Sequence, residues 1–181
     1  MPLREDGAAR LVILAAMTRD DPDSRAESFW QGYLETLPIT ERGRRYYEAF
    51  QFGRGREMVT QLTRLVLDGK KTATSDLLWQ LEVQHKPLWA PGDEHVVFDA
   101  YWMPVCVIQT TELLIKRYDE LDEAFAHDYG EGDRTLEWLR RHLWNWYAAE
   151  CREIGREPTE DMPLLCERFE VVYVPSRVTL I

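Results

Sequence analysis

Apolar residues recur at three- and four-residue spacing near the start of the chain, between Ser24 and Leu37. This spacing predicts an amphipathic helix, because it places the apolar side chains on one face. We expect Ser24 to cap the helix, Glu27 to complete a capping box and Pro38 to end it. The apolar face consists of Phe29, Trp30, Tyr33, Leu34 and Leu37.

The same helical spacing returns at Met58, Leu62 and Leu65. It predicts a second helix from about Arg56 to Asp68. Gly69 should end this helix, since glycine readily takes the left-handed conformation that follows many helices. Further helices are predicted over Ser75–Val83, over Tyr118–His127, and from a cap at Asp133 or Thr135 to about Ile154.

Three other segments are typical of strands, because they are short, apolar and rich in β-branched residues. They are His95–Phe98, Pro104–Ile115 and Leu164–Val174, with a hairpin turn over Asp99–Met103 between the first two. Helices therefore come first, then strands, then helices and a last strand. This order favours an α+β fold over alternating β-α-β units.

A chain of 181 residues is most simply one domain. We expect an N-terminal arm over residues 1–23 and the folded domain over 24–181. The apolar run from Leu11 to Met17 is too short to span a bilayer, so no membrane partner is expected. The three cysteines form no CxxC motif, which indicates reduced thiols and a cytoplasmic protein. No oligomeric state is indicated.

The formal net charge of −10 argues against a protein that coats duplex nucleic acid, because that role needs a broad basic face. The charge is uneven: residues 41–74 carry eight Lys/Arg and four Asp/Glu, whereas residues 119–137 carry eight Asp/Glu and one arginine. Either the basic region faces the acidic one in the fold, or both are solvated surfaces.

Candidate chemistry is concentrated after the second helix, where two lysines and three hydroxyl residues lie between Gly69 and Asp76. Lys71 and Thr74 are three residues apart, which would bring their side chains together on a helical turn. A lysine beside a hydroxyl can polarise it or hold an anion. Glu131 is a candidate third group, because its flanking glycines let the backbone approach a confined site.

Other interpretations remain open on spacing alone. The simplest is that Thr72, Thr74 and Ser75 cap the next helix while both lysines are solvated. A metal site formed by His127, Asp128 and Glu131 is conceivable, but no second histidine is near. The chain has no GxGxxG and no Walker-type loop, so neither a metal nor a nucleotide cofactor is expected.

The central segment resembles the signature of the ASCH domain family, G-x-K-x-x-T-x-R. Gly69, Lys71 and Thr74 match the first three fixed positions, but Asp76 stands where the arginine is expected. The resemblance to the bacterial single-domain branch extends over about residues 24–174. It includes the segments that begin at Phe50, Leu65, Leu77, Pro104, Gly130, Glu150 and Met162.

The resemblance implies a β-barrel of the PUA-like kind with surrounding helices, an N-terminal helical extension and a cleft beside the signature turn. Members of this family handle RNA or nucleosides. Some remove the acyl group of N4-acetylcytidine with the signature lysine and threonine and a downstream glutamate, and another is a ribonuclease. By motif, Lys71 and Thr74 would be catalytic here, with Glu131 placed as the glutamate.

The leading hypothesis is therefore a protein that binds a nucleoside, modified base or RNA in the cleft and hydrolyses an acyl amide. Asp76 and the overall acidity favour a small ligand over a long RNA, since a carboxylate repels phosphate. The alternatives are a non-catalytic RNA-binding module and a ribonuclease. The residues expected to bind the ligand are Gly69, Lys70, Thr72, Ser75, Trp79 and Arg54.

Overall fold

The structure is a computed structural model, and it describes residues 21–176. Its α-helices are α1 (Pro22–Thr36), α2 (Arg56–Leu67), α3 (Leu78–Val83), α4 (Glu123–Tyr129) and α5 (Leu136–Glu153). Its strands are β1 (Glu48–Phe50), β2 (Ala73–Leu77), β3 (Glu94–Phe98), β4 (Pro104–Arg117) and β5 (Pro163–Tyr173). Short 3-10 helices span Ile39–Glu41 and Tyr118–Glu120.

The five strands form one curved sheet, an incompletely closed barrel, in the order β1-β3-β4-β5-β2. β1 pairs with β3 in parallel, and the other three pairings are antiparallel. The register shifts between Val107 and Ile108 and again between Thr110 and Glu112. Such bulges bend a strand and increase its twist, which curls the sheet. The predicted α+β class is confirmed.

Two groups of helices cover the sheet. α4 and α5 pack their apolar faces on β2 and β5, where Phe125, Leu139 and Tyr147 are buried. α1 and α2 pack on β3 and β4 through residues such as Trp30 and Val66. Burying side chains of this size contributes about 1.5–3 kcal/mol each, which holds the helices on the sheet.

The first helix begins two residues before the predicted start, at Pro22. Asp21 rather than Ser24 is its cap, and the Asp21 carboxylate accepts a hydrogen bond of 3.0 Å from the Ser24 N–H. The prediction that Ser24 caps the helix was therefore wrong. Asp21 and Pro22 are the residue types preferred at these two positions, so this start could have been recognised. The predicted arm lies outside the described residues except for its last three positions.

The helix predicted over Ser75–Val83 is wrong in its first part. Ala73–Leu77 is strand β2, paired with β5, and only Leu78–Val83 is helical. Pairing with a distant strand overrode the local capping signals of the hydroxyl residues. Lys71 and Thr74 therefore do not share a helical turn.

The remaining elements lie close to their predicted positions. α2, the three predicted strands and the hairpin turn agree with the prediction to within two residues at each end. The helix predicted over Tyr118–His127 is instead a 3-10 turn followed by α4, because Asp122 caps α4 at Phe125 N–H. Thr135 rather than Asp133 caps α5, accepting from Trp138 N–H at 3.2 Å. No helix in the described part of the chain is long and apolar enough to cross a membrane.

Candidate functional site

A cavity of about 290 Å³ lies at one end of the curved sheet. Its walls come from β1 and the following loop, from β2, β3 and β5, and from α4, α5 and the turn between them. Five carboxyl groups and three cationic side chains line it. The carboxyl groups are Glu48, Asp76, Glu131, Glu150 and Glu167, and the cations are Arg54, Lys71 and Lys86.

Lys71 is the most deeply buried cation of the cavity, with 1% of its surface exposed. Its ammonium donates three hydrogen bonds, to Ala73 O at 2.9 Å, to Tyr129 O at 3.2 Å and to Glu131 Oε1 at 2.7 Å. It also lies 3.6 Å from the centroid of the Tyr129 ring. Burial lowers the pKa of Lys71, and the Glu131 carboxylate opposes that shift. All three ammonium protons are therefore already bonded within the protein.

A close backbone approach brings Lys71 and Glu131 together. Gly130 ends α4 with φ of 76°, and a Cβ atom there would lie 2.1 Å from Lys70 O and 2.7 Å from Lys71 Cα. Only glycine fits such a position, since any side chain would push the two segments apart. This close approach is what places the carboxylate of Glu131 on the Lys71 ammonium.

Glu131 has a second carboxylate oxygen, Oε2, that faces away from Lys71. His142 Nε2, on α5, lies 3.8 Å from this oxygen. The His142 ring is stacked on Trp138, with ring centroids 4.6 Å apart. Burial lowers the pKa of His142, with Glu131 raising it and Lys71 lowering it further. His142 is therefore largely neutral near pH 7, and it lies where it can exchange a proton with Glu131.

Thr74 lies on β2 and lines the same cavity. It is directly opposite Glu167 of β5, so their side chains share one face of the sheet. The hydroxyls of Thr74 and Ser75 lie beside the Tyr129 hydroxyl. Ser75 also accepts a hydrogen bond of 2.7 Å from the Tyr147 hydroxyl. Burial raises the pKa of Tyr129 well above its usual value, so its hydroxyl stays protonated.

The part of the cavity farther along β2 is walled by an acidic group of residues that we name the inner subsite. It consists of Glu48, Asp76, Lys86, Trp89, His95 and Glu167. Thr110 donates a 2.5 Å hydrogen bond to Glu167 and lies 3.3 Å from His95 Nε2. Lys86 forms a 2.7 Å ion pair with Glu48 Oε2.

Burial shifts the pKa of three groups at this end. It raises the pKa of Asp76 to about 6, with Glu48 adding to the shift and Lys86 opposing it. It raises the pKa of Glu167 to about 7, with Thr110 opposing and Asp76 adding to the shift. It lowers the pKa of His95 to about 4. His95 is therefore neutral at physiological pH, whereas both carboxyls titrate close to it.

The other end of the cavity opens to solvent at Arg54. Its guanidinium pairs with Glu150 at 3.1 Å and lies 5.0 Å from the centroid of the Trp146 ring. The Arg54 side chain is 64% exposed. Glu150 also accepts a 2.9 Å hydrogen bond from Trp146 Nε1.

The structure brings the three predicted catalytic residues to one cavity, together with Ser75 and Arg54. The other predicted ligand-binding residues are not among those that line it. Gly69 ends α2, Lys70 pairs with Asp68 at the surface, and Thr72 bonds the backbone carbonyl of Asp128. Trp79 instead stacks on Arg156, with 4.6 Å between the guanidinium carbon and the ring centroid.

Each residue of the conceivable metal trio is bonded to a cationic side chain in the structure. The carboxylate of Asp128 bonds Arg168, His127 bonds Arg134, and Glu131 bonds Lys71. Within residues 21–176, no group of three potential ligands is placed to hold a metal ion. The basic and acidic regions of the sequence do meet, at the Lys71–Glu131 pair.

Several cavity residues were not predicted from the sequence. They are His95, Tyr129, His142, Trp146, Tyr147, Glu150 and Glu167. His142 lies on the predicted last helix and Glu167 in the predicted last strand, and no motif marks either residue. Polar residues at buried strand positions, such as His95 and Glu167, were the available sign, because buried polar groups usually belong to a network.

Comparison with known proteins agrees with this geometry. The sequence profile of the ASCH domain matches residues 48–173, and the chain belongs to the ASCH domain family. This family is PUA-like and is associated with RNA binding. The predicted PUA-like fold is therefore confirmed, including its N-terminal helix. No curated protein matches the chain.

Two solved structures are similar over most of their length. One is an ASCH domain from Lactobacillus crispatus JV V101, with 29% identity and a TM-score of 0.77 over 82% of this chain and 94% of that one. The other is protein EF3133 from Enterococcus faecalis V583, with 28% identity and a TM-score of 0.75 over 83% of this chain and 89% of that one.

Proposed function

We propose that this protein binds a nucleoside or modified nucleobase in the cavity and hydrolyses an acyl amide on it, as in N4-acetylcytidine. The observation that carries the proposal is the buried Lys71–Glu131 pair in a cavity wall that also contains Thr74. A carboxylate, a hydroxyl and a cation in one partly enclosed cavity are the groups that acyl transfer requires.

The hydrogen bonds of Lys71 suggest separate roles for Lys71, Glu131 and Thr74. Because all three Lys71 protons are bonded to Ala73, Tyr129 and Glu131, Lys71 acts as a positioning residue that holds Glu131 oriented. Glu131 keeps Oε2 for proton transfer, and Thr74 supplies the hydroxyl that attacks the acyl carbon or orients the attacking water.

The reaction balances with water as the only co-reactant. Glu131 takes the proton from the attacking hydroxyl as the new C–O bond forms at the acyl carbon. It then gives that proton to the exocyclic nitrogen as the C–N bond breaks, which releases the free amine. If Thr74 attacks, water next cleaves the resulting ester by the same proton transfers and releases the carboxylic acid. If water attacks, the acid is released directly.

The charge of the cavity supports a nucleoside over a nucleotide. Five carboxyl groups against three cations leave an acidic wall. All three cations are held in ion pairs with carboxylates, Lys71 with Glu131, Lys86 with Glu48 and Arg54 with Glu150. A phosphate would face unpaired carboxylates in a site of low dielectric constant, where repulsion is strong. A neutral or cationic ligand meets no such penalty.

The test is turnover of N4-acetylcytidine and related N-acylated nucleosides by the purified protein, followed by chromatography. We expect release of the amine, and a loss on the order of 10²-fold or more in Glu131→Gln and Thr74→Val, because general acid–base catalysis contributes about that much. Lys71→Met should lose as much turnover, because Glu131 is then no longer held in place. Glu131→Gln preserves size and hydrogen bonding, so it separates lost chemistry from a lost fold.

Lys70→Met is the matched control, because Lys70 is the neighbouring lysine and its side chain is exposed. It should keep full turnover. Turnover that survives Glu131→Gln and Thr74→Val, or that falls equally in Lys70→Met, would exclude the proposed assignment. Circular dichroism should be unchanged in every variant used for the comparison.

A binding role without catalysis is the second candidate, and the exposed Arg54–Trp146 stack at the cavity mouth favours it. A guanidinium over an aromatic ring can hold an unpaired nucleotide of RNA. This function predicts retention of short RNA that weakens with salt and in Arg54→Ala, with no turnover of any acylated nucleoside. Retention that is independent of salt would exclude it.

A further inference from the structure

The inner subsite contains a ring nitrogen of His95 that can accept a hydrogen bond from a ligand. When Glu167 is ionised, Thr110 donates its only proton to Glu167, so it accepts the hydrogen bond that it shares with His95 Nε2. The His95 proton therefore lies on Nε2, and its Nδ1 carries a free lone pair. Nδ1 is buried without a hydrogen-bond partner, and His95 has only 1% of its surface exposed.

One carboxylate lies beside this lone pair, and a second lines the same part of the cavity. Glu48 Oε1 is 3.9 Å from His95 Nδ1, while Oε2 of the same carboxylate bonds Lys86. Asp76 lines the cavity without a hydrogen bond to its carboxylate from any described residue. A buried acceptor without a donor destabilises the fold, and His95 Nδ1 is such an acceptor. With two carboxylates in the same part of the cavity, this nitrogen indicates that a ligand supplies N–H groups there.

The side walls of the subsite indicate a flat group. The rings of Phe50 and Trp89 also line the cavity, and each meets the His95 ring edge-on, at centroid distances of 5.9 and 5.8 Å. Trp89 already has a cation over its ring, because the Lys86 ammonium lies 5.3 Å from the ring centroid.

We propose that the inner subsite binds a planar cationic nitrogen group of the amidinium type, which donates hydrogen bonds to Asp76, Glu48 and His95 Nδ1. A nucleobase presents such a group when the ring nitrogen beside its amino group is protonated. The inference rests on the proposed function only in making the cavity the ligand site.

The test measures binding rather than turnover, so it can fail independently of the proposed reaction. Three probes of nearly equal shape are titrated by calorimetry at pH 8: benzamidine, which is cationic, benzamide, which is neutral, and benzoate, which is anionic. We expect benzamidine to bind, benzamide to bind at least tenfold more weakly, and benzoate not to bind, because charged hydrogen bonds add about that factor.

Variants locate the binding within the cavity. Asp76→Asn should weaken benzamidine binding about tenfold. Glu150→Gln removes a carboxylate from the other end of the same cavity and should change the affinity less than about twofold. Absence of benzamidine binding, equal binding of benzamide, or equal effects of the two variants would each overturn the proposal.

Discussion

Gly130 determines how closely α4 approaches the signature segment. A methyl group at this position would meet backbone atoms of Lys70 and Lys71, and backbone cannot yield as a flexible side chain does. The Lys71–Glu131 pair therefore depends on a residue that makes no hydrogen bond through a side chain. This is why the flanking glycine was informative in the sequence.

We predict that Gly130→Ala lowers the free energy of unfolding by several kcal/mol and abolishes turnover. Gly69→Ala is the matched control, since Gly69 also has positive φ, 67°, but open space around its Cβ position. It should cost only about 1–2 kcal/mol from backbone strain and keep its activity. Denaturant unfolding measures the stability of both variants, and equal losses of stability would contradict the steric explanation.

Glu167 links the pH dependence of stability to the inner subsite. Its pKa in the folded protein is raised from the usual 4.5 to about 7, so the folded state binds this proton more tightly than the unfolded state. That contribution is fully present below about pH 4.5 and is lost as the pH rises through 7. Above pH 7 the folded protein must keep a buried carboxylate ionised.

Glu167→Gln should therefore stabilise the protein more at pH 8 than at pH 5, by a difference on the order of 2 kcal/mol. The glutamine keeps an oxygen for the Thr110 hydroxyl, so the hydrogen bond is retained. Unfolding in denaturant at the two pH values measures the difference. A change that is equal at both pH values would show that Glu167 titrates normally.

At the scale of elements, the long helices were predictable and strand β2, which carries Thr74, was not. α2 and α5 have clear apolar faces, and their bounds followed from local signals such as Gly69 and Thr135. β2 reads Ala-Thr-Ser-Asp-Leu, which resembles a helix cap, because nothing local reveals that β5 lies beside it. Pairing with a distant strand, rather than the local sequence, makes this segment a strand.

The same difference applies to the site. Lys71, Thr74 and Glu131 were predicted from the resemblance to the signature and from the glycines around Glu131. His95 and Glu167 were not, because they reach the cavity only when β3 and β5 are placed in the sheet. A sequence motif identifies residues that are close along the chain, whereas the inner subsite is assembled from four separate strands and the loop that follows α3.

The α5 cap offers a test at the same scale. Thr135→Ala should cost about 1 kcal/mol of stability, because it removes the hydroxyl that accepts from Trp138 N–H. Thr60→Ala is the control, since the Thr60 hydroxyl only bonds a carbonyl of its own helix. Thermal unfolding compares the two variants, and a Thr60→Ala loss equal to that of Thr135→Ala would argue against a capping role.

At the scale of the whole molecule, the net charge of −10 and the acidic cavity both disfavour the binding of an anionic ligand. We predict that a nucleoside binds more tightly than its monophosphate. The difference should shrink between about 0.01 M and 1 M salt, because the screening length falls from about 30 Å to 3 Å. Calorimetry with cytidine and cytidine monophosphate measures it, and tighter binding of the monophosphate would exclude an acidic site.

The order of the strands has a consequence for synthesis of the protein. β2, which carries Thr74, pairs only with β5, and Thr74 is opposite Glu167. The ribosome must therefore produce nearly the whole domain before the cavity can close. Closing this long loop costs conformational entropy before β2 and β5 can pair, and this cost slows folding. A nascent chain that ends before β5 can form α2, yet it lacks the cavity wall that β5 contributes.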